Sequence, residues 1–361
     1  MAPKRPYDAI IPAWVLIGRL LTVFGPVVSV PWRCRTIPLI RLWRFGHGRR
    51  KGTPLEIGLY AESAGLSSLD ETLPRARDLG ITRIELSTGG QNPQPFIDVD
   101  ALLESESNCR ALLGTIADHG LSLSALNVSA FPLHPRLGDA HVELTRKTMR
   151  LAGELGVDRV IAQSGAPGDA PGSAVPNWVT YPWPEDMRVT VRRQWEQGIA
   201  LWRDLAEYGR TYGVTRICFE LHPVNLVYNV PTLLMMREAV GGAIGANFDP
   251  SHLMWQGMDV PACVRAIGPA IFHVHIKDVM MHQHNQALVG VLDNRPDVTF
   301  RDRPWNFCTP GFGHDARWWR EFFVALRDVG YDDVASIENE DPYLPGIAGV
   351  ERTVPFLREV I

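Results

Sequence analysis

Four times in this chain a helix-period stretch ends on a glycine and an apolar run begins at the next residue: DLG-ITRIEL, DHG-LSLSAL, ELG-VDRVIA and TYG-VTRICF. Glycine accepts the left-handed backbone that closes a helix, so the punctuation has a mechanical cause. Apolar runs at 55–61, 82–87, 121–128, 159–163, 215–221, 244–248, 271–276 and 334–337 read as strands. Stretches at 69–79, 99–119, 140–155, 187–212, 231–240 and 316–329 carry the helical period. Strands that alternate with helices pair in parallel through right-handed crossovers.

Residues 54–361 hold eight such strands, the number that closes a (β/α)8 TIM barrel, whose chemistry sits at the C-terminal strand ends. A doubly wound open sheet is the alternative, but no Gly-x-Gly-x-x-Gly follows the first run. Two connections are long. Residues 166–185 are rich in Gly, Pro and Trp, and residues 278–314 link the seventh strand to the next helix. Long loops on the catalytic face act as lids or specificity elements.

Residues 1–53 form a separate N-terminal extension of basic and apolar character. Ten Lys and Arg up to residue 52 face only Asp8, which leaves the rest of the chain with 26 basic and 39 acidic residues, a net of −13. An acidic body lacks the basic face that duplex nucleic acid requires, so no nucleic acid partner is expected. The apolar stretch 9–30 is broken by Pro12, Gly18, Arg19, Gly25 and Pro26. A membrane span asks for roughly 20 mostly apolar residues, so membrane association through this stretch is not expected. A peripheral or partner-binding extension and an upstream-start artefact both remain open. Five scattered cysteines (34, 109, 218, 263 and 308) without a Cys-x-x-Cys pair read as free thiols of a reducing, cytoplasmic protein.

Chemistry concentrates where apolar runs give way to polar residues: Glu220 in ICFELHP, Asp249 in GANFDPSH, His275 in FHVHIKD and Glu338 in ASIENED. Strand alternation puts Cys218, Glu220 and His222 on one face and Phe219 and Leu221 on the other; His273, His275 and Lys277 share a face in the same way. The apolar set faces the helices, which sends the polar set to the barrel axis. Ionisable groups there are costly to bury unless they are paired or coordinated. A buried ion-pair network without metal is the plain alternative. One divalent ion on these four residues is the reading with chemical content: a carboxylate-rich O/O/O/N set suits Mn2+, Mg2+ or Co2+, with Zn2+ also compatible. Such an ion acts as a Lewis acid on a carbonyl and its neighbouring hydroxyl, and two carboxylates flanking the substrate can exchange a proton through an enediolate.

The segments FELHP, NFDPSHLMWQGMD, HVHIKD and GFGHDARWWREFFVALRDVGYDDVASIENEDP, spread over residues 54–361, resemble the xylose-isomerase-like barrels and their sugar phosphate isomerase/epimerase group. That resemblance implies Glu220, Asp249, His275 and Glu338 as metal ligands, Mn2+ foremost, with Glu220 and Glu338 as the acid/base pair. It implies His252 as a contact to substrate hydroxyls, a small sugar substrate and a homo-oligomer. One position departs: ketohexose epimerases of the group carry an arginine six residues after the histidine ligand, where this chain has Met281. LNVSAFPLHP and PWNFCTPGFGHD look closer to a branch that includes subunits cleaving 3-keto-glycosides by β-elimination, some of which need a second, smaller subunit. There His134 is a candidate base, with a structural loop histidine as the alternative.

Lys277 would stabilise an enediolate oxygen or pair with Asp278. Trp255 and Trp305 would stack on a sugar ring or simply pack, and the same holds for Trp178 and Trp183. His222 joins the substrate-binding candidates from its shared face with Glu220. His314 is a further candidate, next to Asp315 as a helix N-cap. Glu85 reads as a structural ion-pair partner. The leading expectation is a sugar isomerase or epimerase, followed by a lyase acting on a keto-glycoside or an inosose. A phosphodiesterase like endonuclease IV comes behind them, since it needs additional metal-binding histidines.

Overall fold

The computed structural model describes residues 55–361. The extension at 1–53, the stretch 9–30 and Cys34 lie outside the described residues. The strands in chain order are β1 (Glu56–Tyr60), β2 (Arg83–Gly90), β3 (Ser122–Ser129), β4 (Arg159–Ala162) and β5 (Arg216–Glu220). They continue with β6 (Ile244–Phe248), β7 (Ile271–Ile276), β8 (Asp278–Met281), β9 (Trp305–Cys308) and β10 (Val334–Ile337). Eight of them close a parallel barrel in the order β1-β2-β3-β4-β5-β6-β7-β10, and β8 and β9 pair separately as an antiparallel hairpin. The four punctuating glycines, Gly80, Gly120, Gly156 and Gly213, have φ of 71°, 70°, 69° and 82°. Each helix therefore stops where a side chain would be strained, and the chain turns straight into a strand.

Helices cover the barrel with one apolar face each. In Ala316–Asp328, Asp315 caps the N-terminus by accepting from the Trp318 N–H. Trp319, Phe322, Phe323 and Leu326 are all wholly buried, at the i, i+3, i+4, i+7 spacing that faces one side. Burial of each such side chain stabilises the fold by about 1.5–3 kcal/mol. The region expected as one helix at 99–119 is two, Val99–Leu103 and Glu106–Asp118, because the Ser105 side chain accepts from the Asn108 N–H and starts a new N-terminus. The connection 278–314 is more than a loop, since it carries the β8–β9 hairpin and a short helix, Gln283–Val289.

Inside the barrel, Ala125, Ile161 and Cys218 form a small apolar cluster of their own. Two residues further along β5, the same inward face carries Glu220. Apolar below and ionisable above, this face sets the depth of the site. Among the described residues no helix is long and apolar enough to cross a membrane.

Candidate metal centre

Glu220 is the last residue of β5, Asp249 follows β6, His275 is the fifth of the six residues of β7, and Glu338 follows β10. Ring closure brings these strand ends to one spot. A ligand atom from each of the four lies within 4.8 Å of the others. Asp249 and His275 are wholly buried, and Glu220 nearly so. Asp249 also caps the short helix Pro250–Met254, its Oδ1 accepting from the Ser251 N–H at 2.9 Å. That bond fixes the carboxylate and turns Oδ2 inward, where it is buried and accepts no hydrogen bond. Lys277 Nζ stands 3.0 Å from it and His252 Nε2 3.3 Å. An inward oxygen that meets no backbone donor, among two further carboxylates and an imidazole, is what a divalent cation fits.

Positive charge keeps the carboxylates ionised. Burial alone would raise the Glu338 pKa, but Lys277 and His275 outweigh it and hold that group near 2. Glu220 is likewise held low against its burial, chiefly by His252, whose Nε2 lies 3.1 Å from Oε1. Asp249 is lowered against burial by Lys277 and His252. His275 moves the other way: burial disfavours its charged form, yet Glu85 and Glu338 raise its pKa well above the ordinary imidazole value. His222, half-buried against His252 with ring centroids 4.2 Å apart, is pushed down to about 4 by desolvation and by the neighbouring His252, and is neutral at pH 7.

The walls are aromatic and amide. The hairpin carries Phe307 over the site, 5.5 Å from the His252 ring and 4.7 Å from Lys277 Nζ. Trp255 and Trp305 lie face to face at 4.8 Å with 6° between their planes, so each uses one ring face on the other. Tyr60 is stacked at 6.2 Å from the His275 ring. Gln163 Nε2 reaches Glu220 Oε2 at 3.5 Å, and Gln91 in turn donates to Gln163.

The structure thus brings together Glu220, Asp249, His275, Glu338, Lys277, His252 and His222, with Trp255 and Trp305 as a packed pair beside Phe307. It ties two other candidates to local turns. His134 Nδ1 accepts from the Arg136 and Leu137 N–H groups, just before the helix Gly138–Glu154. His314 Nδ1 is 2.7 Å from Asp278 Oδ1, and the other Asp278 oxygen accepts from Gly311, Gly313 and His314 N–H groups. Asp278 is therefore committed to this turn, and the alternative pairing of Lys277 with Asp278 is corrected: Lys277 bonds Glu338 and Glu340 and lies against Asp249. Of the tryptophan candidates in the 166–185 connection, Trp178 is half-buried and packs edge-on against Tyr228, and Trp183 is exposed. Phe307, Gln163 and Glu340 went unnoticed in the sequence. Only Glu340 had a signal there, as the second acid of ENED.

Fold and site together define a (β/α)8 barrel with a carboxylate-rich candidate cation site at its strand ends. The chain belongs to the xylose isomerase-like TIM-barrel family, whose model matches residues 73–360. It is 38% identical to the uncharacterized protein YfiH of Bacillus subtilis (strain 168), over 85% of this chain and 99% of YfiH. Among solved structures, the IolI protein with a bound zinc atom is similar with a TM-score of 0.58 and 20% identity, over 85% of this chain and 98% of IolI. An L-ribulose 3-epimerase is similar with a TM-score of 0.56 and 20% identity, over 84% of this chain and 93% of the epimerase. At these identities the likeness to solved structures shows the fold.

Proposed function

We propose that the protein is a divalent-metal-dependent isomerase or epimerase of a keto-sugar or related polyol ketone, working by proton abstraction alpha to a carbonyl. The observation that carries this reading is the pair Glu220 and Glu338: both carboxylates belong to one cation centre, three strands apart round the ring, and both are held ionised. When bound, the ion, Mn2+ in our reading with Mg2+, Co2+ or Zn2+ as alternatives, supplies Lewis acidity toward the carbonyl and adjacent hydroxyl. Glu220, Asp249, His275 and Glu338 hold it. One glutamate takes the proton and the other returns it on the second face or carbon. Lys277 offsets the negative charge that develops on the substrate oxygen. His252 and His222 contact substrate hydroxyls, and Phe307 keeps water from that side. Zinc in IolI and the sugar chemistry of the L-ribulose 3-epimerase support this reading by analogy of fold. The four described cysteines are free and buried, which supports a cytoplasmic location. A homo-oligomer, with or without a small second subunit, is the assembly we propose.

A second reading, β-elimination from a keto-glycoside or an inosose, is favoured by Met281. This side chain pairs across the hairpin with Trp305, so an apolar contact stands where ketohexose epimerases of the group carry an arginine. Incubation of the Mn2+-loaded protein with keto-sugars and 3-keto-glycosides in deuterated water separates the readings. Deuterium carried into a rearranged sugar supports isomerisation, whereas a released aglycone or dehydrated sugar supports elimination. Full turnover by a metal-loaded Glu220→Gln variant would remove the proton-transfer assignment.

A further inference from the structure

Glu85 lies deep in the barrel on β2, wholly buried, and its carboxylate reaches across to β7. Its Oε1 accepts from Asn127 Nδ2 at 2.9 Å, and its Oε2 accepts from Ser336 Oγ at 2.9 Å. His273 Nε2 stands 2.9 Å from Oε2, and His275 Nε2 stands 3.0 and 3.1 Å from the two oxygens. One carboxylate thus binds side chains of β3, β10 and β7. An ionised carboxylate only accepts, so every atom facing it must bring a hydrogen. For the neutral His275 ring that a metal ion requires, this has one outcome: Nε2 bears the proton and Nδ1 presents the lone pair. Nδ1 is the atom turned to the cation centre, 3.1 Å from Glu338 Oε2.

We propose that Glu85 is a positioning residue that locks His275 as an Nδ1 metal ligand. The proposal rests on the metal-centre reading above. Glu85, His273 and His275 also form a group whose ligand atoms lie within 4.8 Å of one another. An ion seated there would use Nε2 of His275 and would displace the bonds from Asn127 and Ser336. Those bonds, with two imidazoles, already fill the acceptor sites of the carboxylate, which makes it a partner of the histidines and not an ion ligand. Tyr60, stacked on the His275 ring, limits its rotation from the side. A carboxylate behind a metal-binding histidine raises ligand basicity and fixes its orientation, and losing it costs about 10–100-fold in ion affinity.

The test uses the full chain and two readouts. In Zn2+-loaded protein with 15N-labelled histidine, NMR should find His275 coordinated through Nδ1 and protonated on Nε2. Calorimetry with Mn2+ should show Glu85→Gln weakened about 10–100-fold, because the carboxamide turns an N–H donor toward one of the two ring N–H groups. Ser336→Ala, which leaves the His275 bond in place, should change affinity less than about threefold. Coordination through Nε2, or unchanged affinity in Glu85→Gln, overturns the proposal while leaving the metal centre standing. If the unaltered chain takes up no divalent ion, the metal-centre reading fails and this proposal fails with it. Should Glu85→Gln not fold, the NMR result on the unaltered chain decides alone.

Discussion

Lys277 Nζ lies 2.6 Å from Glu338 Oε2, so an ammonium sits directly on a carboxylate of the candidate cation centre. The same nitrogen is 3.0 Å from Asp249 Oδ2 and 2.9 Å from Glu340 Oε2. Lys277 is nearly wholly buried, and these carboxylates raise its pKa well above the ordinary lysine value against the effect of burial. It therefore stays charged and partly balances the acidic cluster by itself.

Replacing Lys277 by Gln should destabilise the ion-free protein by about 2–4 kcal/mol, since like charges remain buried without their counter-charge. The same change should tighten divalent-ion binding, because a competing cation has gone. Turnover should fall all the same, since no group then offsets the developing substrate charge. Urea unfolding in EDTA and in saturating Mn2+ measures both effects, and saturating ion should recover most of the lost stability. Equal stability of variant and parent in EDTA would contradict the assignment.

Ion uptake should release protons. Without an ion, Glu85 and Glu338 raise the His275 pKa well above 6.5 against the effect of burial, so the ring is imidazolium at pH 7. A metal ligand must be the neutral ring. Affinity should therefore climb with pH, about tenfold per unit below the raised His275 pKa, and level off above it. Calorimetry at pH 7 in buffers of different ionisation enthalpy should find about one proton released per ion. A value of zero would mean that His275 is not displaced from its charged state.

Much of this arrangement was legible because it depends on local rules. A glycine after a helical stretch needs no tertiary information, and Gly80, Gly120, Gly156 and Gly213 all adopt positive φ. The gathering of Glu220, Asp249, His275 and Glu338 needs only ring closure and strand alternation. What stayed hidden depends on register or on turns. Glu85 could be seen on a strand, but its bond to His275, 190 residues away, follows from how β2 faces β7 across the barrel. The hairpin pairs Asp278–Met281 with Trp305–Cys308 across the 23 residues 282–304, which hold a helix, and four-residue strands carry too little alternation to be read alone. The turns that hold His134 and His314 are likewise invisible in the spacing, since they rest on backbone N–H groups and on Asp278 meeting the two Nδ1 atoms.

Glu62 should give the fold a pH-dependent loss of stability. Burial lifts its carboxyl to about 7, opposed by N–H donors from Ser87 and Phe96. The folded protein then keeps this proton up to about 7, whereas the unfolded chain releases it near 4.5. Stability contributed by the protonated form is full below 4.5 and declines as pH rises to about 7. The loss should be about 1–3 kcal/mol after allowance for partial exposure. Chemical unfolding of the unaltered protein and Glu62→Gln at pH 5 and pH 7.5 checks it. The difference between the two proteins should change with pH in that direction, and a pH-independent difference would remove Glu62 as the cause.

At the opposite end of the barrel, Arg159 opens β4 with its side chain almost wholly buried. One nitrogen stands 2.5 Å from Asp333 Oδ2, and another donates to the Phe272 carbonyl at 3.0 Å. This pair closes the floor beneath Cys218, away from the cation centre. Removing one partner strands a buried charge, a loss of about 3–5 kcal/mol in a fully buried pair. Asp333 keeps 29% of its side chain exposed, so Asp333→Asn should cost about 2–3 kcal/mol. The double change Arg159→Met with Asp333→Leu should recover part of that loss, because no charge is then left unpaired. Mn2+ affinity should be unchanged in all of these variants, since the strands hold their upper ends through separate bonds. Urea unfolding of Arg159→Met, Asp333→Leu and the double variant that joins them gives the coupling energy. A coupling near zero, or a parallel fall in ion affinity, would show that the floor and the site do not divide stability and function as this geometry implies.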